Sequence, residues 1–402
     1  MSTGTEAPAP AHPDYPADPL AAARAMAPLV AAHQADIDAK RCLPEPVVDA
    51  MRATGILRAA VPPDLGGPFM DPETQVRVVE ELSRQDGSVG WCAMIASAGS
   101  YTNGFLSDDA ARRWFGSWDS CLAGQLAPSG TAVKVPGGYR ATGRFRFASG
   151  SNHASFLIAG CLVYDDEGNA VRTESGRPVM RSVIVPKDHA TIIDTWHTTG
   201  LWGTGSNDYT LDDVFVAEQD SWDPASRMQR DEPLFRYPPL FLLPHAGVPL
   251  GIARTAIDTV LALADDKPLM PGVAKTANTK VLADDEAAQE AITVAELKLA
   301  ASRALTYEII DELWATLQAG ERVSPRLRAM YRSMMVWTHQ TGREIVLSMY
   351  DTASGSSIYR ENPLDRCARD ILTACQHRMV HPKLYRPAGR LLLGRSSGDP
   401  ML

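Results

Sequence analysis

Two side chains stand out for the chemistry their type and surroundings allow. His377 lies in a stretch with no carboxylate between Asp370 and Asp399. An imidazole titrates near neutrality, so it can take a proton from a phenol or an amine, or hydrogen-bond to it. Ser149 closes the run Phe145-Arg146-Phe147-Ala148-Ser149-Gly150. A hydroxyl there either caps a turn or faces a ligand. Thr204-Gly205-Ser206 adds two hydroxyls around a glycine, whose backbone allows close approach to a flat ring. Gln125, Pro128 and Ser129 lie in a Pro- and Gly-containing segment that reads equally as a plain loop or as a source of backbone donors. Trp91, Tyr101, Phe105, Trp202 and His245 either wall a pocket or belong to the core. Arg254 either reaches a phosphate or lies on a solvated helix face. His377 and His381 have the i, i+4 spacing of a helical metal pair. No third ligand accompanies them, so no metal is expected.

These residues need elements to hold them. Asp71-Pro72-Glu73 is a helix start, followed by Val76, Val79 and Leu82 and closed by Gly87. Pro44 to Gly55 gives another helix. From about Leu122 to Val216 the pattern is that of strands. Tyr139, Ala141, Gly143, Phe145 and Phe147 alternate with polar residues, and Phe156–Tyr164, Arg181–Val185 and Tyr209–Val216 are further strands. From about His245 the pattern is helical again. Leu250, Ala253, Ile257, Val260 and Leu261 form one apolar stripe. Glu286–Gln318 and Pro325–Ser354 each read as one long helix, and Leu364 to about Val380 as a fourth, which suggests an antiparallel bundle.

The 402 residues are 45% hydrophobic and 22% charged, an ordinary globular composition with room for two or three domains. A net charge of -9 argues against nucleic acid or an anionic membrane as the main partner. Six cysteines without C-x-x-C spacing read as reduced thiols, not disulfides or a zinc site. No apolar run suits a membrane span, and the Ala- and Pro-rich start is not a signal peptide. A cytoplasmic protein is expected. No dinucleotide fingerprint or P-loop is present, so no built-in NAD(P)H site is expected.

Gly355-Ser356-Ser357-Ile358-Tyr359, Pro363-Leu364, Arg369-Asp370 and His377 resemble the last helical segment of the acyl-CoA dehydrogenase fold. Dehydrogenases often carry a catalytic glutamate just after the Arg-Asp pair, where this chain has a histidine. Phe147-Ala148-Ser149-Gly150 is similar to the flavin-facing turn of the flavin-dependent monooxygenases built on that scaffold. The segment from Trp196 to Asp208 resembles their Gly-x-Arg-x-Thr-Gly-Ser stretch, with Trp202 where arginine is usual. The resemblance spans residues 20 to 395. It implies an α+β fold: an N-terminal helical domain over 20–121, a central small β-barrel domain over 122–230, and a C-terminal four-helix bundle over 231–396. Disordered tails are expected at 1–19 and 397–402.

The resemblance also implies a function. Reduced FMN or FAD, supplied by a separate NAD(P)H-dependent flavin reductase, would react with O2 at C4a. The resulting hydroperoxide would hydroxylate a small aromatic or polyketide-like metabolite. Ser149 would bond at flavin N5. Phe147, Gln125, Pro128, Ser129, Thr204, Gly205, Ser206 and Arg254 would hold the cofactor, joined by Ser354, Gly355 and Ser356 reaching a neighbouring subunit of a homotetramer. His377 would act on substrate beside Trp91, Tyr101, Trp202 and His245. N-oxygenation of an amino sugar, an acyl-CoA dehydrogenase and a flavin-free binding subunit are the alternatives.

Overall fold

The computed structural model describes residues 14–270, 272, 274–276, 278–399 and 401–402. Short helices open the chain: α1 (Pro19–Ala25), α2 (Ala27–Ala32), α3 (Gln34–Lys40) and α4 (Glu45–Thr54). Gly55, at φ +83°, closes α4 as expected. Residues 1–13 of the expected tail lie outside the described residues. The rest of that tail is packed: the Tyr15 ring lies 5.5 Å from Trp118, and its hydroxyl accepts from Arg58.

The helices α5 (Pro72–Gln85) and α6 (Gly87–Ser100) follow, with α7 (Asp108–Phe115) closing the helical region. Asp71 caps α5 through the Thr74 N–H at 2.9 Å. The sequence placed the stop of α5 at Gly87. Instead α5 ends one residue before Asp86, whose carboxylate accepts from Ser88 N and Val89 N and starts α6. The two helices lie close because α6 carries small residues. A Cβ added at Gly90 would sit 2.6 Å from Ser83 Cα and closer still to its hydroxyl.

Seven strands form one sheet: β1 (Leu122–Val135), β2 (Gly138–Ala148), β3 (Phe156–Tyr164), β4 (Met180–Pro186), β5 (Thr191–Ile193), β6 (Asn207–Ala217) and β7 (Ser221–Trp222). Their order is β5-β6-β2-β1-β3-β4-β7, with β1 and β3 parallel and the other pairs antiparallel. The barrel expected here is an open, curled sheet: β5 and β7 are its edges, and β4 approaches β1 and β6 without pairing to them. Two irregularities matter for function. β1 bulges on both sides of Pro128, and β2 bulges between Phe145 and Ala148. The second bulge reverses the facing of Phe147, which alternation alone would have buried.

The C-terminal helices are α8 (Gly247–Leu263), α9 (Glu286–Gln318), α10 (Pro325–Thr352) and α11 (Pro363–Ala374), with α12 (Tyr385–Leu392) beyond. α10 packs on α8, α9 and α11, and α8 packs on α5. The most apolar helical run, Pro238–Leu263, is mostly buried in this core. α11 stops well short of the expected Val380. Beyond it Pro382 disfavours helix for His381, and His377 and His381 each cap a separate 3-10 turn. They do not share a helix face. The expected C-terminal tail is also packed, with Leu402 buried against Ala329 and Ala388.

Gly90→Ala should destabilise the fold by about 1–3 kcal/mol through overpacking of α5 on α6. Urea unfolding measures this, and an unshifted midpoint would show that the pair separates without cost.

Candidate active site

The β2 bulge creates the first half of the site. Phe147 adopts φ +60°, a left-handed conformation that strains a bulky residue, and its ring is 63% exposed. Such strain costs on the order of 1–3 kcal/mol and tends to gather at ligand sites. Two residues on, Ser149 is buried. Its Oγ accepts from Trp91 Nε1 at 3.0 Å and lies 2.6 Å from Ser206 Oγ. Ser206 Oγ lies 2.6 Å from Thr204 Oγ1, which donates to the Leu201 carbonyl at 2.8 Å.

Each hydroxyl owns one proton, which fixes the direction of this chain. Thr204 spends its proton on Leu201, so Ser206 donates to Thr204 and Ser149 donates to Ser206. Trp91 donates to Ser149. Ser149 is left with a lone pair, so toward a ligand it is an acceptor.

The loop that carries Thr204 and Ser206 is held from below. Asp370 on α11 accepts from the Leu201 N–H at 2.6 Å, and a Cβ at Gly200 would strike the backbone of Arg369 at 2.1 Å. Burial, and then the nearby Asp86 charge, raise the Asp370 carboxyl to about 7. Arg366 binds Asp38 with both Nη atoms, at 2.8 and 2.7 Å, and Asp86 at 2.9 Å. Trp202, in place of the usual arginine, carries the guanidinium of Arg369 on its ring at 4.3 Å.

The second half is a group of imidazoles beside Trp91. His377 lies 5.5 Å and His245 6.2 Å from the Trp91 ring, and 4.9 Å from each other. Burial, then the Arg332 charge, lowers His377 to about 4. Burial lowers His339 to about 4, and His245 falls well below its ordinary value, again chiefly through burial. All three are therefore neutral near pH 7. Their backbone partners set the tautomers. His377 Nδ1 accepts from the Met379 N–H at 3.4 Å, so its Nε2 carries the proton. The Nδ1 atoms of His245 and His339 face the carbonyls of Leu242 and Met335 at 2.9 Å and must donate. Their Nε2 atoms are bare, buried and without a partner. The sequence offered His377 as a group that takes a proton from the substrate or hydrogen-bonds to it; the bare nitrogen beside it belongs to His245.

Other expected residues lie elsewhere. The Tyr101 hydroxyl bonds to Gln75 at 3.3 Å, in a core cluster with Phe235. Phe105 stacks on Trp222 at 5.8 Å. Arg254 is occupied by Glu296 at 2.9 and 3.0 Å and by Asp258 at 2.8 Å, so it offers no free charge to a phosphate. Ser354 and Gly355 are exposed and Ser356 half-buried after α10; none of the three bonds to the Ser149 group. Gln125 accepts from Arg146 N at 2.8 Å and from Ser129 at 3.4 Å, bracing the bulged segment around Pro128. Sequence reading missed His339 and Arg332. Both fall at the heptad-like spacing 332, 335, 339, 342, 346 on the inner face of α10, where a charge is out of place.

A flat polar-edged ring fits this half-built site. Phe147 and Trp196, 6.4 Å apart and edge-to-face, give it an apolar wall. Ser149 gives an acceptor for a ring N–H, and Gly205 at φ +49° keeps the backbone close. Those are the demands of an isoalloxazine. The large groove of about 660 Å³ between α8 and the segment at Tyr359 shares none of these residues.

The model for the acyl-CoA dehydrogenase N-terminal domain matches residues 20–117, and that for the acyl-CoA dehydrogenase C-terminal domain matches residues 243–382. The chain is 31% identical to the indole-3-acetate monooxygenase of Pseudomonas putida over 90% of both chains. It is 28% identical to the flavin-dependent monooxygenase oxygenase subunit HsaA of Rhodococcus jostii, covering 85% of this chain and 89% of that one. Among solved structures, XiaF from Streptomyces sp., in complex with FADH2 and glycerol, superposes with a TM-score of 0.85 over 96% of both chains at 24% identity.

The neutral imidazoles make stability depend on pH. His339 binds a proton more weakly when folded, so stability falls as pH drops from about 6.5 toward 4. Between pH 7 and 4.5 the native protein should lose on the order of 2 kcal/mol more than the His339→Leu variant. Parallel urea midpoints of the two across that range would refute the assignment.

Proposed function

The chain belongs to the flavin-dependent monooxygenases of the acyl-CoA dehydrogenase fold, and on that premise we propose that it is the oxygenase component that hydroxylates a small aromatic metabolite. Reduced FMN or FAD from a separate NAD(P)H-dependent reductase and O2 are its co-substrates. The observation that carries the reading is the directed chain Trp91–Ser149–Ser206–Thr204 beside the strained, exposed Phe147, with neutral imidazoles packed edge-on to Trp91.

The flavin, when bound, supplies an oxygen atom activated from O2. The protein supplies the rest. Phe147 and Trp196 would seat the ring, and Ser149, left with a free lone pair, would accept from an N–H at its edge. Trp91 and the apolar residues around it keep water out, which slows loss of the activated oxygen as hydrogen peroxide. His245 Nε2 accepts a hydrogen bond from a substrate hydroxyl, which makes the ring more electron-rich. His377 Nε2–H donates to an oxygen in the same space. A dehydrogenase would need a carboxylate base here. None bonds into the cluster among the described residues, and the buried acid of α11, Asp370, accepts from the Leu201 N–H instead.

We further propose a cytoplasmic homotetramer. Ile358 at 62% and Tyr359 at 64% exposure give the segment after α10 an apolar surface suited to a neighbouring subunit, where Ser354, Gly355 and Ser356 would meet the cofactor.

Stopped-flow absorbance tests the class. Anaerobic protein loaded with reduced FMN or FAD, mixed with oxygenated buffer, should give a lasting near-ultraviolet band before oxidised flavin appears. Immediate oxidation with and without aromatic substrates would overturn the reading. Ser149→Ala should shorten the life of that band by about ten-fold or more, the value of a lost charge-poised hydrogen bond; an unaltered lifetime removes Ser149 from the site. His245→Ala and His377→Ala should each cut hydroxylated product by at least about 100-fold while oxygen is still consumed and released as hydrogen peroxide. Unchanged coupling of oxygen to product would exclude both imidazoles.

A further inference from the structure

Arg332, on α10, has no exposed surface, and none of its three side-chain nitrogens has a hydrogen-bond partner. No carboxylate lies within ion-pair distance of it among the described residues. Buried Arg58 and half-buried Arg366 are built differently. Arg58 gives its terminal nitrogens to Tyr15, Gly66, Leu65 and Phe115. Arg366 is paired with two aspartates. A buried guanidinium left unpaired is among the most unfavourable groups a fold can contain. A chain that keeps one inside needs an anion to meet it.

The surroundings say which anion. Arg332 and His339 are seven residues apart on one face of α10, about 10 Å along the axis. The bare Nε2 atoms of His339 and His245 and the hydroxyl of Tyr237 are likewise buried without partners. The Arg332 charge is felt at both His377 and His245. Leu243, Tyr331 and Met335, close in sequence to these polar groups, belong to one buried apolar cluster. Such a site has a cationic end at Arg332, an apolar middle, and a hydrogen-bonding end at His245 and His377. Its complement is a small aromatic with a carboxylate on a short side chain. The guanidinium fork matches a carboxylate with two parallel bonds.

We propose that Arg332 anchors the carboxylate of the aromatic substrate, so that the enzyme selects arylalkanoic acids over neutral aromatics. This rests on the oxygenase reading above for what happens next, but not for binding itself. Asp399 is a carboxylate whose charge Arg332 feels, and it is the competing protein partner.

Calorimetric titration of the flavin-free, full-length protein tests the proposal. The probes are phenylacetate and indole-3-acetate, each against its uncharged amide. The acids should bind at least roughly 30-fold more tightly than the amides, the ordinary loss when one member of a buried charge pair is removed. Arg332→Gln should abolish that preference, and Arg332→Lys should keep part of it. Circular dichroism should show Arg332→Gln melting no lower than the native protein, because the side chain has no protein partner to lose. Failure of both acids to bind, amides that bind as well as the acids, or a preference that survives Arg332→Gln would each overturn the proposal. A lower melting temperature for Arg332→Gln would also overturn it, by showing that Asp399 or another protein group already holds the charge. Oxygen transfer does not enter these measurements. If the acid preference stands and no oxygenation is found, the proposed function fails and the anion site survives.

Discussion

The site depends on one buried ionic contact, the grip of Arg366 on Asp86. Asp86 sits where α5 ends and α6 begins, and its carboxylate already caps two N–H groups of α6. Arg366 comes from α11, 280 residues later in the chain, and also binds Asp38 on α3. An unpaired aspartate at that depth would be costly, so the contact ties three distant segments to one geometry. α6 carries Trp91. α11 carries Asp370, which holds the Leu201 loop and so Thr204 and Ser206. Ser88, one residue into α6, accepts on its Oγ from the Gly203 N–H at 3.1 Å and joins the two arms directly. The hydroxyl chain to Ser149 exists because these elements meet at one point.

Around that rigid centre the molecule keeps several groups in states that water would not permit. Phe147 is held out in solvent with a left-handed backbone. Three imidazoles are kept neutral by burial, one of them presenting an N–H and two presenting bare nitrogens. Arg332 stays charged without a partner. Each is unfavourable in the free protein, and each lies beside Trp91 or Ser149 or within electrostatic reach of the imidazoles next to them. Scattered, they would be defects. Grouped, they describe the shape and polarity of what the site receives.

Much of this was legible in the sequence, but unevenly. Helix starts such as Asp71-Pro72 follow from local capping chemistry, and strands such as Tyr139–Phe145 from simple alternation, so both appear where expected. The hydroxyl residues Ser149, Thr204 and Ser206 were picked out singly, but the order of their protons needs distances. The errors share a cause. Phe147 was expected in step with its strand, but a bulge against β6 turned it over. His377 was expected on a continuing helix, but the chain breaks into short turns after Ala374. Register and helix ends are set by partners far away in sequence, which local pattern does not contain. Arg254 shows the opposite case: a free charge in the sequence is bound by Glu296 from a different helix.

Arg332 and His339 were overlooked because sequence reading treats a charge on a long helix as solvated. Their spacing argued otherwise, since positions 335, 342 and 346 between and beyond them are buried and carry no charge. A helix that places arginine in phase with its core stripe must either pair it within the fold or leave it for a ligand. Arg366 illustrates the first outcome and Arg332 the second. The distinction separates the two cations by role: half-buried Arg366 fixes the frame on which the hydroxyl chain hangs, and buried Arg332 is, on our proposal, left for a ligand. On the proposal that Arg332 anchors a carboxylate, a substrate spanning from there to the imidazoles would be bound at its charged end by α10 and at its reactive end by Trp91, His245 and His377. Selection of substrate and placement of the atom to be oxygenated then become the same physical event.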